Sequence, residues 1–91
     1  MLHKLEKIKD ILRHEDFEEF IENGAPDDEY DSEAEAIVMA VENIPPQELT
    51  EERLYFVMNQ IWMKFFGHSE EEMNHVKIPF QALVRKIWGA L

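Results

Sequence analysis

The sequence of 91 residues contains no cysteine, so no disulfide can stabilise the fold. It also lacks any apolar run near the 18 or more residues of a membrane-spanning helix, and no segment resembles the apolar core of a secretory signal. We therefore expect a cytoplasmic protein. A chain of this length buries only about 60 to 65% of its unfolded surface, so its stability must come from one well-packed core. These features predict a single domain over residues 1–91.

Basic residues are scarce, since nine Lys and Arg stand against 20 Asp and Glu, for a net charge of -11. Affinity for phosphate groups depends mainly on Lys and Arg, so this charge argues against nucleic acid and against anionic membrane surfaces as partners. Between His14 and Glu52 the chain has no Lys or Arg, whereas this stretch carries 15 acidic residues. The acidity is therefore a property of one segment.

Apolar residues recur at three- and four-residue spacing along most of the chain, which indicates amphipathic helices. No window alternates apolar and polar residues for long, so strands are not expected. The predicted fold class is all-α, a compact irregular bundle of four or five helices without a sheet. The predicted helices cover about 2–13, a short run over 17–21, a segment from Ser32 to the prolines at 45 and 46, 51–66, a short turn ending near His75, and a last helix from Pro79.

Polar residues mark where several of these helices begin. Ser32 with Glu35, and Ser69 with Glu72, have the S-x-x-E spacing of a capping box, in which each side chain bonds the backbone of the other residue. Thr50 is a typical N-cap for the helix over 51–66. We expect these residues to fix the starts of three helices.

Three stretches of the sequence together resemble the YugE-like family of small all-helical bacterial domains of unknown function. They are Ile8 to Leu12, the segment Gly24-Ala25-Pro26-Asp27-Asp28-Glu29-Tyr30-Asp31-Ser32-Glu33, and Ile61-Trp62-x-Lys64-Phe65-Phe66-Gly67. The similarity covers roughly residues 8 to 67. It implies an all-helical cytosolic protein and supplies no activity.

The sequence contains few side chains suited to nucleophilic catalysis. Its only small nucleophiles are Ser32, Thr50 and Ser69, and each stands where a helix N-cap is expected. A compact bundle of this size also leaves little room for a pocket of several hundred Å³. We therefore expect no enzymatic activity, no catalytic residues and no cofactor.

Histidine and carboxylate residues between 68 and 75 have a spacing compatible with a metal site. Glu72-x-x-His75 places two ligands on one helix face, with His68 nearby. A di-metal helical bundle needs two such motifs, and the chain has one. We predict no metal site, and the alternative is a weak metal-dependent activity around His68 and His75.

Asp27, Glu29 and Asp31 also repeat the first ligands of a calcium loop. The glycine and the bidentate glutamate that an EF-hand requires further along are absent, which excludes that motif. Only a weak, adventitious calcium site is compatible with this pattern.

The most suggestive feature is the acidic segment around Tyr30. Asp27, Asp28, Glu29 and Asp31 lie within five residues. Four adjacent like charges exceed what helix capping requires, and tyrosine is a residue type that interface hot spots favour. Acids around such a residue would steer a basic protein towards it, and we predict these five residues as the partner-binding site. The competing interpretation is a solvated face without a partner.

From these observations we predict a small, non-catalytic protein-binding module that engages an unidentified basic protein through the acidic segment 15–35. An inhibitor or immunity-type protein is one form of this function. The alternative is a homodimeric structural protein whose aromatic helix faces, including Trp62, Met63 and Trp88, meet across a two-fold axis.

Overall fold

The computed structural model describes residues 2–18, 23–24 and 29–91. Its helices are α1 (Leu2–Glu15), α2 (Asp31–Glu42), α3 (Glu51–Phe66), α4 (Glu70–His75) and α5 (Lys77–Ala90), with a 3-10 turn at Pro46–Glu48. None of the described residues forms a strand, which confirms the all-α class. The short helix predicted over 17–21 falls mostly on residues 19–22, outside the described residues.

Four helices form a ring in which each packs against two neighbours. Helices α2 and α5 both contact α1 and α3, and α4 packs against α3. The molecule measures 39 × 31 × 20 Å. Helices α2 and α5 therefore occupy opposite corners of the ring. In the described part of the chain, no helix has the length and apolar character needed to cross a bilayer.

Aromatic side chains fill the space that the four helices enclose. Trp62 of α3 is fully buried, and its ring centroid lies 5.4 Å from that of Phe80 in α5. Phe17 packs edge-on against Phe80 at 5.3 Å, and Tyr55 does so from another side at 5.7 Å. Such edge-to-face contacts add to the energy of burial. Because Trp62 lies in this core, the prediction that it forms part of a homodimer interface is wrong.

The predicted caps of α3 and α4 are confirmed. Thr50 Oγ1 accepts the backbone N–H of Arg53 at 3.1 Å. Ser69 Oγ accepts the N–H of Glu72 at 3.1 Å, and Glu72 Oε1 accepts the N–H of Ser69 at 2.9 Å, which completes a capping box. Gly67 ends α3 with φ +69°, a left-handed conformation that glycine adopts without strain.

The capping box predicted for Ser32 and Glu35 is wrong. Helix α2 begins one residue earlier than Ser32, and no side chain caps it. Tyr30 precedes the helix, and its carbonyl oxygen accepts the N–H of Ala34 at 3.0 Å. Because the Tyr30 side chain is fixed in the core, the helix starts directly after it and Ser32 falls inside the first turn.

Candidate functional site

Tyr30, the predicted centre of the partner-binding site, is a core residue with an exposed fraction of 1%. Its hydroxyl oxygen accepts the backbone N–H of Glu18 at 2.9 Å, and its O–H donates to the carboxylate of Asp16 at 2.8 Å. A buried phenol needs such partners, and the turn after α1 supplies them. The prediction that Tyr30 anchors a partner is therefore wrong, since its side chain is covered by this chain itself.

Two of the four acids predicted to surround Tyr30, Glu29 and Asp31, lie within the described residues. Glu29 is exposed. The carboxylate of Asp31 lies 3.7 Å from the ammonium of Lys9 in α1. Asp27 and Asp28 lie outside the described residues. Within the described part of the chain, Tyr30 is buried and Asp31 lies beside Lys9, so these two residues do not form one exposed cluster with Glu29.

The first acids of the predicted segment 15–35 contact other parts of this protein. Glu15 accepts a hydrogen bond from the Lys86 ammonium at 2.7 Å. Asp16 accepts the Tyr30 hydroxyl, and the Glu18 side chain bonds residues of the core. These carboxylates therefore form bonds within this protein that hold its folded structure together.

A second acidic surface lies further along the chain, on the outward side of α2. Glu35, Met39 and Glu42 are exposed there at helical spacing, and we call these three residues the α2 acidic face. Met39 is 67% exposed, although it is a large apolar side chain. None of the ion pairs among the described residues involves Glu35 or Glu42. In the sequence, the signal was a methionine at a position where the helical period predicts a polar residue.

The most organised polar group in the fold is the Glu18 carboxylate, which is 14% exposed. Its Oε2 accepts the indole N–H of Trp62 at 3.2 Å, and its Oε1 lies 3.0 Å from Nε2 of His68. Because an ionised carboxylate only accepts hydrogen bonds, Nε2 of His68 carries the proton in this pair. Glu18 thereby fixes the orientation of the imidazole.

His68 faces an open cleft with a volume of about 1060 Å³ between the end of α1 and helices α4 and α5. We call it the α1–α4–α5 cleft. Its lining includes the apolar side chains of Phe17, Val76, Pro79 and Leu83. The expectation that so short a chain leaves little room for a pocket is wrong, since this open cleft exceeds several hundred Å³.

Glu72 stands at the wall of this cleft beside His68. Hydrogen bonds from the Ser69 backbone and then the Ser69 side chain lower the pKa of the Glu72 carboxyl below its ordinary value. Its Oε2 lies 3.7 Å from Nδ1 of His68. His68 is a smaller cause of the lowered Glu72 pKa, after the two bonds from Ser69.

The residues considered for metal binding do not assemble into a site. Within the ranges that the structure describes, no three His, Asp or Glu side chains converge closely enough to hold an ion. His68 contacts Glu18 and Glu72, whereas His75 is exposed at the end of α4.

One buried carboxyl group lies apart from the cleft, in the first turn of α2. Glu33 is only 6% exposed, and its Oε2 makes no hydrogen bond with the described residues. Burial raises the pKa of the Glu33 carboxyl, and the charges of Glu29 and Asp31 raise it further, against a hydrogen bond from its own backbone. This group therefore destabilises the fold when it is ionised.

No protein-family model, curated protein or solved structure matches the chain. The resemblance to the YugE-like family therefore stays a prediction. The function of the protein is therefore inferred from the geometry of the α2 acidic face and the cleft.

Proposed function

We propose that this protein is a non-catalytic binding module that engages a basic protein through the α2 acidic face. The observation that carries the proposal is the exposure of Met39 between two glutamates that pair with no basic side chain of the described chain. Protein interfaces commonly combine an apolar centre with a polar rim, and charges near the centre steer the partner. The α2 acidic face has this composition.

The distribution of basic residues within the fold supports this proposal. Lys86 and Arg85 belong to α5, at the corner of the ring opposite α2. They lie beside Glu15 and Glu51, at 2.7 and 3.8 Å. Asp31 of α2 pairs with Lys9, whereas Glu35 and Glu42 are in no ion pair among the described residues and are left for a cation of the partner.

The chemistry of the partner follows from the spacing on α2. Glu35 and Glu42 are seven residues apart, which is about two helical turns or 10 Å along the axis. A partner segment with Lys or Arg residues at a similar separation and an apolar side chain between them would match this face. Association that blocks the basic partner, as an inhibitor or immunity-type protein does, is one form of this function.

Two copies of this chain fit the α2 acidic face poorly. A two-fold contact would bring glutamates of the same helix together, and each copy carries a net charge of -11. The homodimer alternative would instead use other surfaces, such as those that include Met63 and Trp88, which are half-buried. Mass measurement in solution separates the two proposals.

The test begins with a photo-crosslinking amino acid at position 39, used to capture the partner from native host lysate. The same residue at position 71, on α4, is the control for non-specific capture. Association of the purified partner is then followed at low and high salt. We expect Glu35→Gln with Glu42→Gln to slow association at low salt, and the loss to shrink at high salt as screening increases.

The matched control is Glu70→Gln with Glu71→Gln, which removes the same charge from exposed positions of α4. The proposal predicts that this pair slows association far less than the α2 pair. Equal effects of the two pairs, or a parent-like rate for the α2 pair at low salt, would show that the α2 acidic face is only a solvated surface.

A further inference from the structure

We propose that Asn23 and Gly24 form a site of spontaneous covalent modification, at which the asparagine side chain is converted to aspartate and isoaspartate through a succinimide. The co-reactant is water, and no enzyme is required. Asparagine is a thermolabile residue type, and Asn23-Gly24 is the one Asn-Gly pair in the sequence. The site lies apart from the α2 acidic face and does not depend on the function proposed for that face.

The reaction uses atoms of these two residues and of water. The backbone nitrogen of Gly24 attacks Cγ of Asn23 and gives its proton to solvent, and the new N–Cγ bond closes the succinimide ring. The Cγ–Nδ2 bond breaks, and Nδ2 takes a proton and leaves as ammonia. Water then opens the ring at either carbonyl carbon. Cleavage at one side gives aspartate at position 23, and cleavage at the other gives isoaspartate, in which the main chain runs through the former side chain.

Exposure and backbone conformation at this pair favour ring closure. Both residues are exposed and lie in a turn. Gly24 has φ +105°, and no atom lies within 4 Å of the position that a Cβ would occupy. Glycine therefore brings no side chain of its own beside the attacking nitrogen. None of the described residues accepts a backbone hydrogen bond from Gly24, so no such bond has to break before the attack.

The other three asparagines provide an internal comparison, and none of them precedes a glycine. Asn59 lies within α3 and Asn74 within α4, and the residue that follows each belongs to the same helix. Asn43 ends α2, where its Nδ2 donates to the carbonyl oxygen of Met39 at 2.9 Å. Ring closure at these positions must break hydrogen bonds and must bring the side chain past the Cβ of the next residue.

The fold holds the two ends of the stretch that contains this pair. The Tyr30 hydroxyl donates to Asp16 at 2.8 Å and accepts the N–H of Glu18 at 2.9 Å. An isoaspartate lengthens the main chain by one methylene group and adds a negative charge to a segment without Lys or Arg. Because Asn23 and Gly24 are exposed, we expect the helical core to accept this change with its stability retained.

The experiment is incubation of the purified protein at mildly alkaline pH in water enriched in heavy oxygen, followed by peptide mass spectrometry. The heavy oxygen marks conversion that takes place during the incubation, and electron-transfer fragmentation distinguishes aspartate from isoaspartate. We expect both products at position 23. The Asn23 amide should be lost at least about tenfold faster than the amides of Asn43, Asn59 and Asn74.

The decisive variant is Gly24→Ala, because its methyl group lies beside the attacking nitrogen and disfavours the positive φ. We expect it to slow the loss of the Asn23 amide about fivefold or more. Gly89→Ala, at an exposed position of α5 with equally open space, is the matched control and should leave the rate unchanged. Asn23→Gln is a second variant that keeps a side-chain amide. Its longer side chain would have to close a larger ring, so position 23 should stay unmodified.

A last variant tests whether Asn23 reacts in the folded protein. Leu83 is 2% exposed, so Leu83→Ala weakens the core and raises the unfolded population. Reaction in the folded turn predicts an unchanged rate at Asn23, whereas reaction through the unfolded chain predicts a faster one. The proposal is overturned if Asn23 reacts no faster than the other asparagines, if aspartate forms without isoaspartate, if Gly24→Ala leaves the rate unchanged, or if Leu83→Ala accelerates the reaction.

Discussion

The indole N–H of Trp62 donates to the Glu18 carboxylate at 3.2 Å, which joins two residues 44 positions apart in the sequence. The bond connects the turn after α1 to the C-terminal half of α3. Since the same carboxylate also bonds His68, one side chain links the turn after α1, helix α3 and the connection that precedes α4.

Removal of this carboxylate should destabilise the protein. Glu18→Ala leaves the buried indole N–H of Trp62 without its acceptor, and we expect the free energy of unfolding to fall by about 1 to 3 kcal/mol. Urea denaturation measures the change. Glu70→Ala, at an exposed position of α4, should cost less than about 0.5 kcal/mol. Equal costs for the two variants would mean that the Glu18 bonds contribute nothing to stability.

The hydroxyl of Tyr30 should contribute in a similar way. Tyr30→Phe removes the group that accepts the Glu18 N–H and donates to Asp16. We expect a loss of about 1 kcal/mol or more in the free energy of unfolding, because a backbone N–H loses its partner. Tyr55→Phe, at a half-buried tyrosine of α3, is the control and should be nearly neutral. A neutral Tyr30→Phe would contradict its place in the core network.

Local patterns predicted most of the helices and two of their caps. In α3, apolar residues recur at helical spacing because Leu54, Met58 and Trp62 all face the core. This pattern predicted the helix. Thr50 and Ser69 cap their helices through bonds to residues three positions away. Such features depend on neighbours in the sequence, and so a sequence pattern can reveal them.

The site could not be predicted in the same way, because it depends on contacts between distant residues. Glu18 and His68 are 50 positions apart in the sequence and meet only in the folded chain. The turn that carries Glu18 also contains Asp16 with φ +44°, a left-handed conformation that few residues other than glycine adopt. The prediction for Tyr30 is wrong for the same reason, since its hydroxyl bonds Asp16 and Glu18, which lie 14 and 12 positions earlier in the sequence.

The two serines with S-x-x-E spacing provide a direct test of the cap assignments. Ser69→Ala should lower the free energy of unfolding by about 0.5 to 2 kcal/mol, because α4 loses its N-cap. Ser32→Ala should be nearly neutral, since Ser32 makes no cap bond. Thermal unfolding of both variants measures the difference. A larger loss for Ser32→Ala than for Ser69→Ala would mean that Ser32 caps α2, which would contradict the structure.

The same variant should change the acid titration of Glu72. Its lowered pKa in the folded state contributes stability above the ordinary pKa of a glutamate, and this contribution is lost as pH falls through the folded value. Ser69→Ala removes the side-chain bond that is one cause of the shift. NMR titration of the Glu72 carboxyl should therefore show its pKa move back towards the ordinary value, whereas Ser32→Ala leaves it in place.

The buried carboxyl of Glu33 should have the opposite effect on stability. Its pKa is raised in the folded state, so the folded protein binds a proton more readily than the unfolded chain does. The ionised group destabilises the fold at pH values above its folded pKa, and this penalty disappears as pH falls through that value. We expect Glu33→Gln, which keeps the shape and removes the charge, to raise the free energy of unfolding at pH 7 by about 1 kcal/mol.

The gain from Glu33→Gln should shrink as the pH falls towards the ordinary range of a glutamate, because parent and variant then carry the same charge at this position. Urea denaturation at several pH values between 7 and 4 measures it. Glu35→Gln, at an exposed position two residues along the same helix, should show a smaller effect. If Glu33→Gln lowers stability at pH 7, its carboxylate has a favourable partner in the folded protein, and the penalty inferred from its burial is wrong.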